Sequence, residues 1–403
     1  SRKYVWDAMP TIVEGKKVMC MSFYGKEAYG LYRPFSTKVI AHTLKSYSKF
    51  SIPYPYPVAQ SVEAANGMEY PMICFNFGRT EPDGSYSEAT KNGMIGVIIH
   101  EVGHNFFPMI VNTDERQWTW MDEGMNSFIQ YLAEQTWKAG YPSRRGPAEK
   151  IVPYMKGSKD FMVPVMTNSE QVKQFGNNAY GKPATALNIL REVVMGPELF
   201  DYAFKEYANK WKFKHPSPAD FFRTMEDASA VDLDWFGKGW FYTTDHVDIE
   251  ITDVTWYKID TEIKQEKKGR SPKSKKENSE GMDPNHVEKL ETPSPISFMA
   301  GNYDKIIKPG SNFYELKLRN KGGLVMPVIL KINYKDGTSE TEKFPAEIWR
   351  MNEKEVSKVL LKQKEIASLE IDPEKLTADV DEFNNYFPRR EIKSKLEIYK
   401  ESN

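Results

Sequence analysis

The chain has 403 residues, more than one hydrophobic core usually organises, so two or more domains are expected. With 55 Lys and Arg against 56 Asp and Glu it is almost neutral, which gives no reason to expect nucleic acid or an anionic membrane as a partner. Its apolar stretches are far too short to span a bilayer, and two cysteines, Cys20 and Cys74, allow one disulfide or none.

The chain opens on Ser1-Arg2-Lys3, without Met and without an apolar leader core, and reads as a processed or truncated piece. A periplasmic or extracellular compartment is the matching expectation. From Val18 to about Tyr24 an apolar, β-prone run predicts a strand, and Lys38–Phe50 has helical spacing. Pro53-Tyr54-Pro55-Tyr56-Pro57 then ends any helix and extends the backbone. Met68–Phe77 reads as the next strand. Ser87 is a candidate N-cap for a helix over Ser87–Val111, where Ile95, Ile98, Ile99, Val102, Phe106 and Phe107 recur at helical spacing. A second helix runs from about Asp122 to Lys138 and stops at Gly140-Tyr141-Pro142. Thr185–Met195, Glu198–Lys212, Pro218–Ala228 and Leu233–Phe241 continue the helical pattern.

After about Asp245 the texture changes. Val247–Trp256 alternates like a strand, and residues 264–295 are crowded with Lys, Glu, Ser, Gly and Pro, too polar to offset the entropy of ordering, so a flexible insertion is expected there. Phe313–Arg319, Val325–Tyr334, Thr338–Phe344 and Ala367–Ile371 read as short strands, with a hairpin turn at Lys335-Asp336-Gly337. The expected fold class is α+β, a mainly helical domain with a sheet followed by a small β-sandwich.

The stretch that carries chemistry is His100-Glu101-Val102-Gly103-His104 in the long helix. A spacing of four sets both imidazoles on one face, one turn apart, where both can reach one metal ion, with Glu101 beside them to take a proton from water. A purely structural helix would have to find buried partners for all three polar groups. Catalytic zinc takes three protein ligands. Glu123 lies nineteen residues after His104, room to finish one helix and start an antiparallel one. On position alone Glu123 stays open between a third ligand and an acid favoured by a helix N-terminus.

His-Glu-x-x-His followed by Glu in a Trp-x-x-Glu-Gly context, here Trp120-Met121-Asp122-Glu123-Gly124, resembles the M1 family of zinc aminopeptidases, the gluzincins. Asn66-Gly67-Met68-Glu69-Tyr70 is similar to the family's Gly-x-Met-Glu-Asn strand, and Tyr180-Gly181-Lys182-Pro183 to its Tyr-x-Lys-Gly motif. Phe221–Thr244 resembles the end of the family's catalytic domain, so the likeness is strong over about residues 60–250. It implies a thermolysin-like catalytic domain over residues 1–247 and an Ig-like β-sandwich over 248–403. It implies zinc on His100, His104 and Glu123, with Glu101 as general base and Tyr180 as donor to the oxyanion. Gly67, Met68 and Glu69 would bind substrate, Glu69 holding the free α-amine of a peptide. Asn66 and Tyr70 depart from the family's Gly and Asn, which would reshape the subsite for the first side chain. Family members also begin with a large β-domain that adds a second amine anchor, and this chain starts too late to contain it.

The implied function is removal of N-terminal residues from peptides. The alternatives are a zinc endo- or oligopeptidase and a peptide-binding scaffold without catalysis. Asp122 and Asn126 read as helix-capping or exposed residues, with ligand orientation as the other reading.

Overall fold

The computed structural model describes residues 2–259, 294–296 and 311–390. It divides into two compact units, Ser1–His246 with Lys375–Ala378 and Val247–Glu374 with Asp379–Asn403.

In the first unit β1 (Tyr4–Val13) and β2 (Lys16–Gly25) form an antiparallel hairpin. Its turn, Glu14-Gly15, has positive φ at both residues. The sequence reading missed β1 because Pro10 interrupts it, yet β1 is an edge strand, where a missing N–H is tolerated. The sheet order is β1-β2-β3-β5-β4, with β3 (Val58–Glu63) and β5 (Ile73–Asn76) parallel to β2. The strand expected over Met68–Phe77 is instead a tight hairpin, because Met72 turns the chain with φ 66°. Its N–H donates to Asn105 Oδ1 at 2.7 Å. The first arm, β4 (Met68–Tyr70), forms the sheet's other edge, with Glu69 opposite Cys74. Cys20 and Cys74 are buried free thiols.

Helix α1 (Tyr29–Phe50) begins well before the expected Lys38, accommodating Pro34 in its second turn. Helix α2 (Glu88–Gly103) starts where expected, with Ser87 Oγ accepting the Thr90 N–H at 3.0 Å. It ends earlier than its apolar pattern suggests. Pro108 forces Phe107 into extended backbone (φ −134°, ψ 112°), and Asn105–Ile110 form a wide turn. A second wide turn, Trp120–Gly124, leads into α3 (Met125–Trp137). After the one-turn α4 (Val152–Met155), a third, Gly176–Gly181, leads into α5 (Lys182–Ile189). Helices α6 (Pro197–Trp211), α7 (Pro218–Ser229) and α8 (Asp234–Tyr242) complete the unit, α7 opening with a reciprocal Ser217–Asp220 capping box. Trp120, Phe128, Phe204, Tyr207, Phe221 and Phe241 are fully buried and pack ring against ring, fixing the start of α3.

Among its described residues the second unit holds two four-stranded sheets. One runs β10-β9-β12-β13, from β9 (Val328–Tyr334), β10 (Ser339–Phe344), β12 (Ile366–Ile371) and β13 (Tyr386–Phe387). The other runs β11-β8-β6-β7, from β6 (Ile249–Ile259), β7 (Ser294–Ile296), β8 (Asn312–Asn320) and β11 (Glu355–Lys362). The hairpin at Lys335-Asp336-Gly337 forms with Gly337 at φ 84°. Strand β11 escaped the sequence reading: Glu355–Lys362 buries only Leu360 fully, so its alternation is weak. The insertion expected over 264–295 lies outside the described residues except for Ser294 and Pro295, which open β7. Apart from α1 between β2 and β3, the helices follow the first sheet and precede the strands of the second unit, and the fold is α+β.

Candidate active site

Helix α2 and its C-cap residue present His100 and His104 on one face, and the wide turn before α3 brings Glu123 across to them. The Nε2 atoms of the two imidazoles are 3.1 Å apart, and Glu123 Oε2 lies 3.1 Å from the first and 3.3 Å from the second. Bonds of 2.0–2.1 Å to a tetrahedral zinc would set neighbouring donors about 3.3 Å apart, so the three atoms have the chemistry and spacing of three corners of that tetrahedron. The residues present fit the ion. A second set of potential donors, Glu69, Glu101 and His104, shares one imidazole with the first. It leaves out His100 Nε2, which lies 3.1 Å from both His104 Nε2 and Glu123 Oε2.

Both Nε2 atoms face inward because both Nδ1 atoms are engaged outward. His100 Nδ1 is 2.9 Å from Gln130 Oε1, and His104 Nδ1 is 3.0 Å from the Phe107 carbonyl and 3.0 Å from Asp122 Oδ1. Asn126 is wholly buried. Its Nδ2 donates to the His100 carbonyl at 2.8 Å, and its Oδ1 accepts from the Tyr47 hydroxyl at 2.7 Å. The capping or exposed role expected for Asp122 and Asn126 is therefore corrected: both are buried against the helix that carries the imidazoles. Gly103 makes room for this, since a Cβ there would lie 2.3 Å from Asn126 Oδ1 and from Tyr47 Oη. Gly124 plays the same part across the site, where a Cβ would lie 2.5 Å from Pro183 Cγ.

Glu101 is buried one residue along α2, and Gly67 presses against it: a Cβ on Gly67 would lie 2.2 Å from Glu101 Oε1. Half-buried Glu69, on edge strand β4, has a carboxylate oxygen within 4.8 Å of donor atoms of both Glu101 and His104. Met68 is exposed on the same strand. Tyr180, in the turn before α5, stacks over His100 with ring centroids 5.8 Å apart and donates its hydroxyl to Glu123 Oε1 at 2.5 Å. All eight sequence-predicted site residues thus lie in or beside one cleft.

The charges follow from this crowding. Burial, offset in part by His104 and reinforced by Glu69 and Glu123, pushes Glu101 up to about 8. Although burial opposes it, the two imidazoles hold Glu123 well below the usual carboxylate range. His104 is raised by Asp122 and Glu123 against burial, whereas burial and the charge of His104 lower His100. The cleft floor is a cavity of about 480 Å³ that takes in His100, Glu101, Gln130, Arg145 and Tyr180.

The sequence reading missed Gln130 as an orienting group and Arg145 as a wall of the cleft. Gln130 was accessible to it: Glu123, Asn126, Gln130 and Glu134 recur at spacings of three and four, a polar stripe on a helix whose other buried positions are mostly apolar. Arg145 sits in a loop, where no periodicity marks it.

The peptidase family M1 domain matches residues 35–240. A probable aminopeptidase 1 of Sulfurisphaera tokodaii is 27% identical over 239 residues, which cover 56% of this chain and 30% of that protein. The glutamyl aminopeptidase of Sus scrofa is 28% identical over 162 residues, covering 38% of this chain and 17% of its own length. The chain therefore spans less than a third of each of these relatives. The crystal structure of Legionella pneumophila aminopeptidase A is similar in fold, with a TM-score of 0.61 at 11% identity over 93% of this chain and 38% of that one. Among the described residues no helix is long and apolar enough to cross a membrane.

Proposed function

The chain belongs to peptidase family M1, a zinc metallopeptidase family, and on that premise we propose that its first unit hydrolyses the N-terminal residue from peptides. The observation that carries the reading is the convergence of His100 Nε2, His104 Nε2 and Glu123 Oε2 within 3.3 Å, with Glu101 and Glu69 beside them. His100, His104 and Glu123 hold the zinc. When bound, the ion supplies Lewis-acid polarisation of the scissile carbonyl and makes water a usable nucleophile near neutral pH.

Glu101 takes the proton from the attacking water and passes it to the leaving amine. A carboxylate whose proton affinity is raised by burial suits both halves of that task. Tyr180 turns its hydroxyl from Glu123 to the developing oxyanion, a contribution of about 3–4 kcal/mol for a donor aimed into a dry site. Glu69 binds the substrate α-ammonium, which needs a counter-charge once it leaves water. Edge strand β4 offers its free backbone groups to an extended peptide. Asn126, Gln130 and Asp122 keep the imidazoles turned toward the ion.

Two comparisons test the reading. The zinc-loaded protein should cleave an alanyl chromogenic amide and leave its N-acetylated form intact, whereas cleavage of both would point to an endo- or oligopeptidase. Glu101→Gln should retain zinc and lose at least about 100-fold in kcat. Full turnover in that variant would remove Glu101 from its role, and a zinc-loaded wild type that cleaves nothing would favour a peptide-binding scaffold.

A further inference from the structure

Among the described residues, Phe175 and Arg145 pack against the Tyr180 ring without a part in the mechanism, and Arg145 is the charged one of the two. Its guanidinium lies over the Tyr180 ring, 4.1 Å from the centroid, and lines the cavity that holds His100 and Glu101. With Arg144 it also lines a second cavity, of about 490 Å³. There Lys150 is the third charged wall residue, and the rest of the lining, including Gln174 and Asn177, is neutral.

Neither arginine forms a hydrogen bond or an ion pair with a carboxylate among the described residues. The acids whose charge reaches Arg145 are Glu123 and Glu134. Both are engaged elsewhere, Glu123 with the imidazoles and Tyr180, Glu134 with Gln130 at 2.8 Å and with Ser143 at 2.5 Å. Burial works against the charge of Arg145, so a half-buried guanidinium without a counter-ion is a costly feature to build beside a reaction centre. Contact with the Tyr180 ring holds the guanidinium beside the reaction centre, and its N–H groups, engaged by no carboxylate among the described residues, can receive a planar carboxylate through two parallel hydrogen bonds.

We propose that Arg145, backed by Arg144 and Lys150, determines specificity by receiving a carboxylate of the substrate. This rests on the peptidase reading of the cleft. The carboxylate is either an acidic side chain or the terminal carboxylate of a short peptide. At about 3.5 Å of chain per residue, a group held beside Tyr180 sits about one to two residues from the bond being cleaved.

The test uses two substrate pairs that differ in one carboxylate: Ala-Ala against Ala-Ala-amide, and the p-nitroanilides of Glu against Gln. Each is measured on the zinc-loaded wild type, Arg145→Met and Arg145→Lys, alongside calorimetric binding of Ala-Ala and of Glu-Ala-amide to the metal-free proteins. The wild type should prefer the carboxylate member of one pair, and the responding pair identifies the source. Arg145→Met should lower kcat/KM on that member about 30-fold, mostly through KM, and under about 3-fold on its neutral partner. Arg145→Lys should keep part of the preference. Equal losses on both members would reduce Arg145 to a support for the Tyr180 ring and overturn the proposal, as would a wild type indifferent to the carboxylate in both pairs. If nothing is hydrolysed, the peptidase reading fails, and calorimetry still decides the proposal. About 30-fold weaker binding of one carboxylate ligand to the metal-free Arg145→Met protein supports it, and unchanged binding of both refutes it.

Discussion

Replacing Gly67 by alanine tests how closely Glu101, the proposed general base, is positioned. The new Cβ would stand 2.2 Å from Glu101 Oε1, 3.0 Å from its Cδ and 3.1 Å from Val97 Cγ2. A carbon–oxygen contact needs about 3.2 Å, so the Glu101 carboxylate must move by about 1 Å. It is the far end of a flexible side chain and moves at little cost to the fold. Gly67→Ala should therefore unfold at nearly the wild-type temperature. It should also bind zinc as the wild type does, because the three atoms nearest the new Cβ belong to Glu101 and Val97 and not to the imidazoles or Glu123. Catalysis should suffer instead, since a 1 Å displacement of a reacting group is worth about 100-fold in rate. Steady-state kinetics on an alanyl amide, read beside metal content and thermal unfolding, separates these effects. A kcat within about 3-fold of wild type at full zinc occupancy would mean that Glu101 does not act from the position described.

Two further substitutions probe neighbouring features. Asn66 adopts φ 145°, a conformation that suits glycine, and its exposed side chain makes no hydrogen bond among the described residues, so Asn66→Gly should relieve more strain than it adds in unfolded-chain freedom and stabilise the first unit by about 1 kcal/mol in urea unfolding. Destabilisation of that size would give the asparagine side chain a role of its own. Lys182 is buried with its amine donating to the Thr243 carbonyl at 3.1 Å, and burial, reinforced by Lys159, lowers it to about 8 from 10.5. Between those two pH values the unfolded chain holds a proton that the folded chain has released, so folding becomes more favourable as pH rises. Over that window the wild type should gain about 3 kcal/mol relative to Lys182→Met. A stability difference that stays constant from pH 7 to 10.5 would contradict the burial argument.

The proposed metal-binding face was legible because helical periodicity alone brings His100 and His104 together. Glu123 needed the motif context as well, since nothing in the spacing says that the chain before α3 winds into a wide turn and carries that carboxylate inward. Asn126 and Asp122 were misjudged for the same reason: polar residues near a helix start usually meet water, and here α2 packs over them. Gly103 permits that approach, and a glycine in a motif's variable position gives no warning of what it admits. In the first unit's sheet the losses were edge strand β1, the short β4 and the central β3, whose buried positions are Ala59, Ser61 and Glu63. Strand β1 carries Pro10 and exposes alternate residues, and β4 is three residues long, cut from its neighbour by the turn at Met72. Strand β2 declares itself by its apolar run, whereas β1, β3 and β4 are held by pairing that only the fold supplies.

The central claim is that His100, His104 and Glu123 share one zinc ion. Anomalous diffraction at the zinc edge from crystals of the zinc-loaded chain tests it most directly. One peak within about 2.1 Å of His100 Nε2, His104 Nε2 and a Glu123 oxygen is the predicted result. A peak held by Glu69, Glu101 and His104, with His100 and Glu123 left out, would contradict the account.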